Sequence, residues 1–209
     1  WIRSTKVPRD LKAAVRLIAD RKTSRQDVVR VTTLDTGVVS YMANIGGIGL
    51  DARVAEIVNK KKERGKRGKM LYVSALLYCI RHRSPVRAKV VCDGELVYDG
   101  KYFSMAFGIG KYSGGGMRQT PLAIMDDGLL DVTIIPDISM WVIARKAYRL
   151  FTGTFHKVDV LTQTRCREVI VTPYGPADAE PIEVDGEIIG RVPVRMTLLP
   201  SQLNIIAGF

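Results

Sequence analysis

The stretch Lys89-Val90-Val91-Cys92-Asp93-Gly94-Glu95-Leu96-Val97-Tyr98 carries the main signal for the fold class. Two β-rich runs flank an Asp-Gly dipeptide. Both central positions of a tight hairpin turn need positive φ, which this dipeptide tolerates. Toward the C-terminus the same texture continues as short apolar runs separated by turn residues. Strands are predicted over 129–135, 158–161, 168–172, 181–184, 194–199 and 203–206. One helix interrupts them, started by Ser139, running to about Leu150 and stopped near Gly153. Toward the N-terminus helical spacing takes over. Residues 10–21 carry Leu11, Ala14, Val15 and Ile18 on one face. Residues 51–62 carry Val54, Ile57 and Val58, with Asp51 suited to the N-cap. Another helix is predicted over 69–82, ended before Pro85, while 28–33 and 38–45 are β-rich. The expected class is α+β, mainly β: an antiparallel β-sandwich domain with a few helices. No internal repeat stands out.

Composition excludes several alternatives. An apolar share of 46% in 209 residues is too high for a disordered chain and sufficient for a real core. The longest apolar stretch, 70–80, is far shorter than the ~20 residues of a membrane span. Cys79, Cys92 and Cys166 are odd in number, far apart and set among apolar neighbours, as reduced core residues are. No secretory leader is visible, and the absence of an initiator Met makes Trp1 look like a cut into a longer chain.

A net charge of +11 calls for an anionic partner or a well-solvated surface. The excess is focused at Lys60-Lys61-Lys62-Glu63-Arg64-Gly65-Lys66-Arg67-Gly68-Lys69, expected to form a flexible basic loop. Such a loop is either simply solvated or sits over phosphate headgroups. It lacks the interleaved aromatics of single-strand nucleic-acid binders.

Candidate chemistry is sparse. His82 and His156 read as solvated or satisfied, and no nucleophilic triad suggests itself. Asn44-Ile45-Gly46-Gly47-Ile48-Gly49 lacks the dinucleotide spacing. Gly114-Gly115-Gly116 calls for positive φ or a close approach, or is a plain hairpin loop. Asp126-Asp127-Gly128 places a carboxylate among backbone carbonyls on a tight turn, an oxygen-rich setting for a hard cation such as Mg²⁺. Asp185-Gly186-Glu187 puts carboxylates at a hairpin tip. Asp-Gly is also the commonest turn chemistry, as Asp93-Gly94 and Asp99-Gly100 illustrate.

Taken in order, four of these pieces resemble the C-terminal part of the diacylglycerol kinase / sphingosine kinase family, especially its bacterial soluble lipid kinases. They are Asn44-Ile45-Gly46-Gly47-Ile48-Gly49-Leu50-Asp51, Gly114-Gly115-Gly116-Met117, the run 121–132 through Asp126-Asp127-Gly128-Leu129, and Val184-Asp185-Gly186-Glu187. The resemblance covers nearly the whole chain; Ile109 stands where family members often carry Asn. It implies ATP-dependent phosphoryl transfer to a lipid hydroxyl, with diacylglycerol converted to phosphatidic acid. Glu187 then corresponds to the general base, and Asp127 with the carbonyls of Ile124 and Leu129 to the ligands of Mg²⁺. It also implies three parts: a remnant of the nucleotide-binding domain over 1–30, the sandwich over 31–200, and a returning strand over 201–209. The family's Gly-Gly-Asp-Gly-Thr phosphate loop is not in this sequence, so no nucleotide-binding residue is expected here and the fragment should be inactive. The partners implied are a lipid at an anionic membrane surface and the chain's own N-terminal nucleotide domain, not nucleic acid; a homodimer is left open. The implied location is cytoplasmic and peripheral to the membrane. Competing readings are a kinase for a sphingoid base or another glycerolipid, a non-catalytic lipid- or anion-binding module and, last, a nucleic-acid-binding β domain.

Overall fold

The structure is a computed structural model describing residues 1–21, 23–65, 69–82, 84–113, 116–146 and 148–207. The expected basic-loop residues Lys66, Arg67 and Gly68, the glycines Gly114 and Gly115, and the terminal pair Gly208 and Phe209 lie outside the described residues.

The chain opens with helix α1 (Leu11–Ala19), where Asp10 caps by accepting from the Ala13 N–H at 2.9 Å. Then come β1 (Thr23–Thr33), β2 (Val39–Met42) and β3 (Ile45–Gly49), followed by α2 (Leu50–Glu63) and α3 (Lys69–Arg81). The predicted hairpin forms between β4 (Val86–Cys92) and β5 (Glu95–Gly108), with Asp93 at φ 49° and Gly94 at φ 88°. After β6 (Leu130–Pro136) the short helices α4 (Met140–Lys146) and α5 (Arg149–Thr152) end at a left-handed Gly153. Five strands complete the chain: β7 (Thr162–Cys166), β8 (Glu168–Pro173), β9 (Pro181–Val184), β10 (Glu187–Arg191) and β11 (Val194–Ile206).

All eleven strands belong to one antiparallel sheet, ordered β10-β9-β3-β5-β4-β8-β11-β1-β2, with β6 on β5 and β7 on β6. The long β5 folds this sheet into a sandwich by changing neighbours. Its first half, up to Tyr102, pairs with β4, whereas Ser104 to Gly108 lie between β3 and β6. The core between the layers is built from alternate inward side chains, among them Val31, Ile48, Met105, Phe107, Ile134 and Met196. A smaller cluster of Val54, Val58, Ala75 and Cys79 joins α2 to α3. All three cysteines are buried.

Four details differ from the sequence expectation. Asp51 is not an N-cap: Gly49 holds that position at φ 85°, and Asp51 lies inside the first turn of α2. Residues 158–161 form no strand. Val158, Val160 and Leu161 instead wall an apolar cavity, and the strand is the more polar β7 just beyond. β10 completes a hairpin with β9 that the sequence reading did not separate. Finally, β1 and β11 are longer than their apolar cores, because they pair with each other from Thr23↔Ile206 to Thr33↔Val194. The polar ends of both strands are held by this pairing rather than by burial. Residues 30 and 201 both lie within this strand pair.

Register brings the candidate residues to one end of the sheet. Asp131 faces Gly108, Gly108 faces Ile45, and Gly46 faces Val184. The Asp126–Gly128 turn before β6, the entry to β3 and the Asp185–Gly186 turn after β9 thus share an edge. α2 starts at the far end of β3 and runs back over the sheet, so that Asn59 donates to the Gly186 carbonyl at 3.1 Å.

Candidate active site

The β9–β10 hairpin tip is locked in place by Asp185. Held at φ 48°, its carboxylate accepts from the Ala43 N–H at 2.6 Å and the Ile45 N–H at 3.0 Å, and its own N–H donates to the Ile45 carbonyl at 3.0 Å. Asp185 is therefore spent on holding the tip against the link between β2 and β3. Glu187, the first residue of β10, lies exposed on the outgoing arm and pairs with Val184. It does not line the cavity described next, but its charge is close enough to act on Glu183.

Beneath the tip lies a cavity of about 540 Å³. Its walls come from α2 (Asp51, Ala55), the hairpin (Glu183, Asp185), the β2–β3 link, and the loop after β5 (Tyr112, Gln119). Two carboxyls are half-hidden in it that the sequence reading did not single out as functional. Asp51 accepts from the Ser104 hydroxyl at 2.9 Å and the Gln119 amide at 2.7 Å. Both bonds fall on Oδ2, so Oδ1 keeps its acceptor capacity. Burial pushes the Asp51 carboxyl up, with those two donors pulling the other way. Glu183 is pushed up to about 8, first by burial and then by the charges of Asp51, Asp185 and Glu187, against the Gly186 N–H that it accepts. Burial and the neighbouring charges thus favour the protonated acid here. Only the alternation of β9, which turns Glu183 away from the Ile182 and Val184 core face, hinted at it in the sequence.

A second cavity of about 160 Å³ adjoins the first and shares Asp51, Met117 and Gln119 with it. Its lining is otherwise almost wholly apolar: Leu76 and Ile80 of α3, Val142 and Leu150 of α4 and α5, and Phe155 and Leu161 beyond. A chamber that carries the carboxyls of Asp51 and Glu183 in a mixed lining thus neighbours an almost wholly apolar one, with Asp51 in the wall they share. At the rim of the first chamber the Tyr112 ring lies between two guanidiniums, Arg118 at 5.0 Å and Arg3 at 5.7 Å from its centroid. Gly116 meets the requirement expected of the glycine triplet. It has φ 86°, and a Cβ there would lie 2.7 Å from Arg3 Nη1.

The other acidic turn is separate. One Asp127 oxygen pairs with Arg165, and the other accepts the Leu129 N–H at 3.1 Å. Arg165 also donates to Asp131 at 3.0 Å, which opposes the upward push of burial on that carboxyl. The turn is anchored from below by buried Asp27, which accepts from the Gly128 N–H at 2.8 Å and the Ser201 N–H at 2.7 Å. Among the described residues, no three His, Cys, Asp or Glu side chains are grouped to hold a metal. The carboxylate of Asp127 and the neighbouring carbonyls of Ile124 and Leu129 are hard oxygen donors. They are the donor type that a well-hydrated hard cation takes, and such a cation would have to share the carboxylate with Arg165. Following β6, β5, β3 and β9, this turn is three strand spacings from the Asp185 tip, roughly 14 Å.

No helix among the described residues is long and apolar enough to cross a membrane. The family described as the YegS C-terminal NAD kinase beta sandwich-like domain matches residues 44–207. A relative from Stenotrophomonas maltophilia, named as a YegS-like lipid kinase, is 28% identical over 210 residues, 97% of this chain and 66% of its own length. The diacylglycerol kinase of Mycobacterium tuberculosis H37Rv is 28% identical over 198 residues, 93% of this chain and 61% of its own. The chain thus spans less than two thirds of these relatives. Among solved structures, a diacylglycerol kinase from Bacillus anthracis aligns over 99% of this chain and 62% of its own at a TM-score of 0.66 and 16% identity, a likeness of fold. This chain belongs to the YegS C-terminal NAD kinase beta sandwich-like domain family, and its curated relatives are named lipid and diacylglycerol kinases.

Proposed function

We propose that this chain is the acceptor-binding half of an ATP-dependent lipid kinase, with diacylglycerol as the substrate and phosphatidic acid as the product. The observation that carries the reading is the junction at Asp51, where the carboxyl-bearing cavity neighbours the apolar one. That pairing suits an amphiphile whose hydroxyl-bearing head occupies the carboxyl-bearing chamber and whose acyl chain enters the other. The curated relatives are longer than this chain, and the nucleotide is assigned to the part of their length that it does not cover. Arg3 and Arg118, flanking Tyr112 at the rim, supply positive charge toward the nucleotide phosphates.

In the transfer, the lipid hydroxyl oxygen forms a bond to the γ-phosphorus, and the bond from that phosphorus to the bridging oxygen of ADP breaks. The hydroxyl proton passes to Glu187, whose exposed carboxylate stands on the arm leaving the locked hairpin tip. Asp51, through Oδ1, holds the lipid head from inside the junction, while the reacting hydroxyl reaches out of the chamber toward Glu187, which stands outside its lining. Ile124, Asp127 and Leu129 would hold Mg²⁺. An ion held by them would supply fixed positive charge.

The test is transfer from radiolabelled ATP with Mg²⁺ to diacylglycerol in mixed micelles, using the full-length parent beside its Glu187→Gln variant. Labelled phosphatidic acid from the parent, and at least a hundredfold loss in the variant, is the expected result. Equal turnover in the variant removes Glu187 from the mechanism. No labelled lipid with diacylglycerol, a sphingoid base or another glycerolipid leaves the family's fold as a binding module.

A further inference from the structure

The helices that wall the apolar cavity have an apolar outer face as well as an inner one. Ile138 just before α4, Val142 and Lys146 within it, and Leu150 of α5, four apart, line the cavity. The opposite positions carry Trp141, 81% exposed, with Tyr148 at 57% and Phe151 at 59%. α3 repeats the arrangement: Leu76 and Ile80 face the cavity, while Leu77 and Tyr78 stand exposed. A surface helix of a globular domain normally keeps one polar face toward water. Here two neighbouring elements break that rule around one cavity. The same segment is free of acids: between Asp137 and Asp159 there is no Asp or Glu, whereas Arg145, Lys146, Arg149 and Lys157 are all present. Exposed aromatic side chains on a segment that carries Lys and Arg and no acid match the headgroup zone of an anionic bilayer, where amphipathic rings and cations both gain.

We propose that the outer face of α4 and α5 is the surface by which this protein sits on an anionic phospholipid bilayer. Trp141 and Phe151 enter the boundary between headgroups and acyl chains, and Arg145 lies at phosphate level. The lipid then passes from the bilayer past the helical cover into the cavity on its inner side, without crossing water. This passage rests on the lipid-acceptor reading above; the docking of the face does not.

The chain has two tryptophans, and Trp1 is tied elsewhere, donating from its ring N–H to Gln26 at 3.0 Å. Trp1→Phe therefore leaves Trp141 as the sole reporter. Vesicles of phosphatidylglycerol and phosphatidylcholine carrying bromine near the top of the acyl chain should blue-shift its emission and quench it by about half. Pure phosphatidylcholine vesicles should do much less. Trp141→Ser with Phe151→Ser, both at exposed positions, should keep the circular dichroism spectrum and lower the vesicle-bound fraction at least fivefold. Binding of the chain with unquenched Trp141 overturns the proposal, as does no binding at all. It is equally overturned by a concentration-dependent dimer that the double variant breaks, with no insertion. None of these readouts involves turnover. Failure of the kinase reading would show instead as no phosphoryl transfer by the full-length parent to a water-soluble short-chain diacylglycerol, where no bilayer is needed.

Discussion

Glu183→Gln is the substitution whose effect can be worked furthest. The folded-state pKa of Glu183 is pushed up to about 8 from an ordinary 4.5, so the folded chain holds this proton more tightly than the unfolded one. The stability that Glu183 contributes is therefore fully present below pH 4.5, is lost as pH rises through the window from 4.5 to 8, and is gone above it. Between pH 5.5 and 8.5 the two pKa values correspond to a loss of about 3 kcal/mol, at 1.36 kcal/mol per unit. The glutamine amide keeps an acceptor oxygen for the Gly186 N–H but cannot ionise. The variant should lose about 3 kcal/mol less than the parent across that interval. Asp51 is shifted in the same direction and remains in both proteins, so only the part of its shift that comes from the Glu183 charge enters the difference. Urea unfolding of both chains at a series of pH values, with linear extrapolation, supplies the comparison. Parallel profiles would refute the reasoning, because Glu183 would then be ionised in the folded chain and the chamber would be wetter than its burial implies.

Two further substitutions test what positions the site. Arg53 binds Glu180 in a two-pronged contact at 2.5 and 2.6 Å, and the Glu180 side chain is 7% exposed. Arg53→Met should cost about 3–5 kcal/mol by stranding a buried carboxylate, and Arg53→Met with Glu180→Met should recover most of it; thermal unfolding of all three chains reads both effects. Gly49→Ala adds a Cβ 2.8 Å from the Phe103 carbonyl at φ +85°, so at least about 2 kcal/mol should be lost. A melting temperature unchanged by that substitution would mean the β3–α2 corner is looser than described.

The candidate site was only partly legible in the sequence. Asp185-Gly186-Glu187 announces a hairpin tip in any chain, and its place at the sheet end follows from register. Asp51 had a local explanation as a helix cap, and that explanation failed because Gly49 already turns the chain. Its actual partners, Ser104 and Gln119, lie 53 and 68 residues away. Asp127 similarly suggested a cation, while Arg165, its partner 38 residues on, carried no signal within the turn itself.

Local sequence was enough for the Asp93-Gly94 hairpin, the spans of α2 and α3, the helix stop at Gly153, the buried cysteines and the family. These depend on turn chemistry, local periodicity and ordered motifs, all written within a few neighbouring residues. That Val158, Val160 and Leu161 line a cavity instead of forming a strand emerges only from the folded arrangement. So do the raised pKa of Glu183 and the apolar character of α4 and α5 on both faces. Burial and distant partners set these outcomes. A carboxyl's pKa follows from the water it loses and the charges brought near it, and both arise only when β9, α2 and the loop after β5 close around one space.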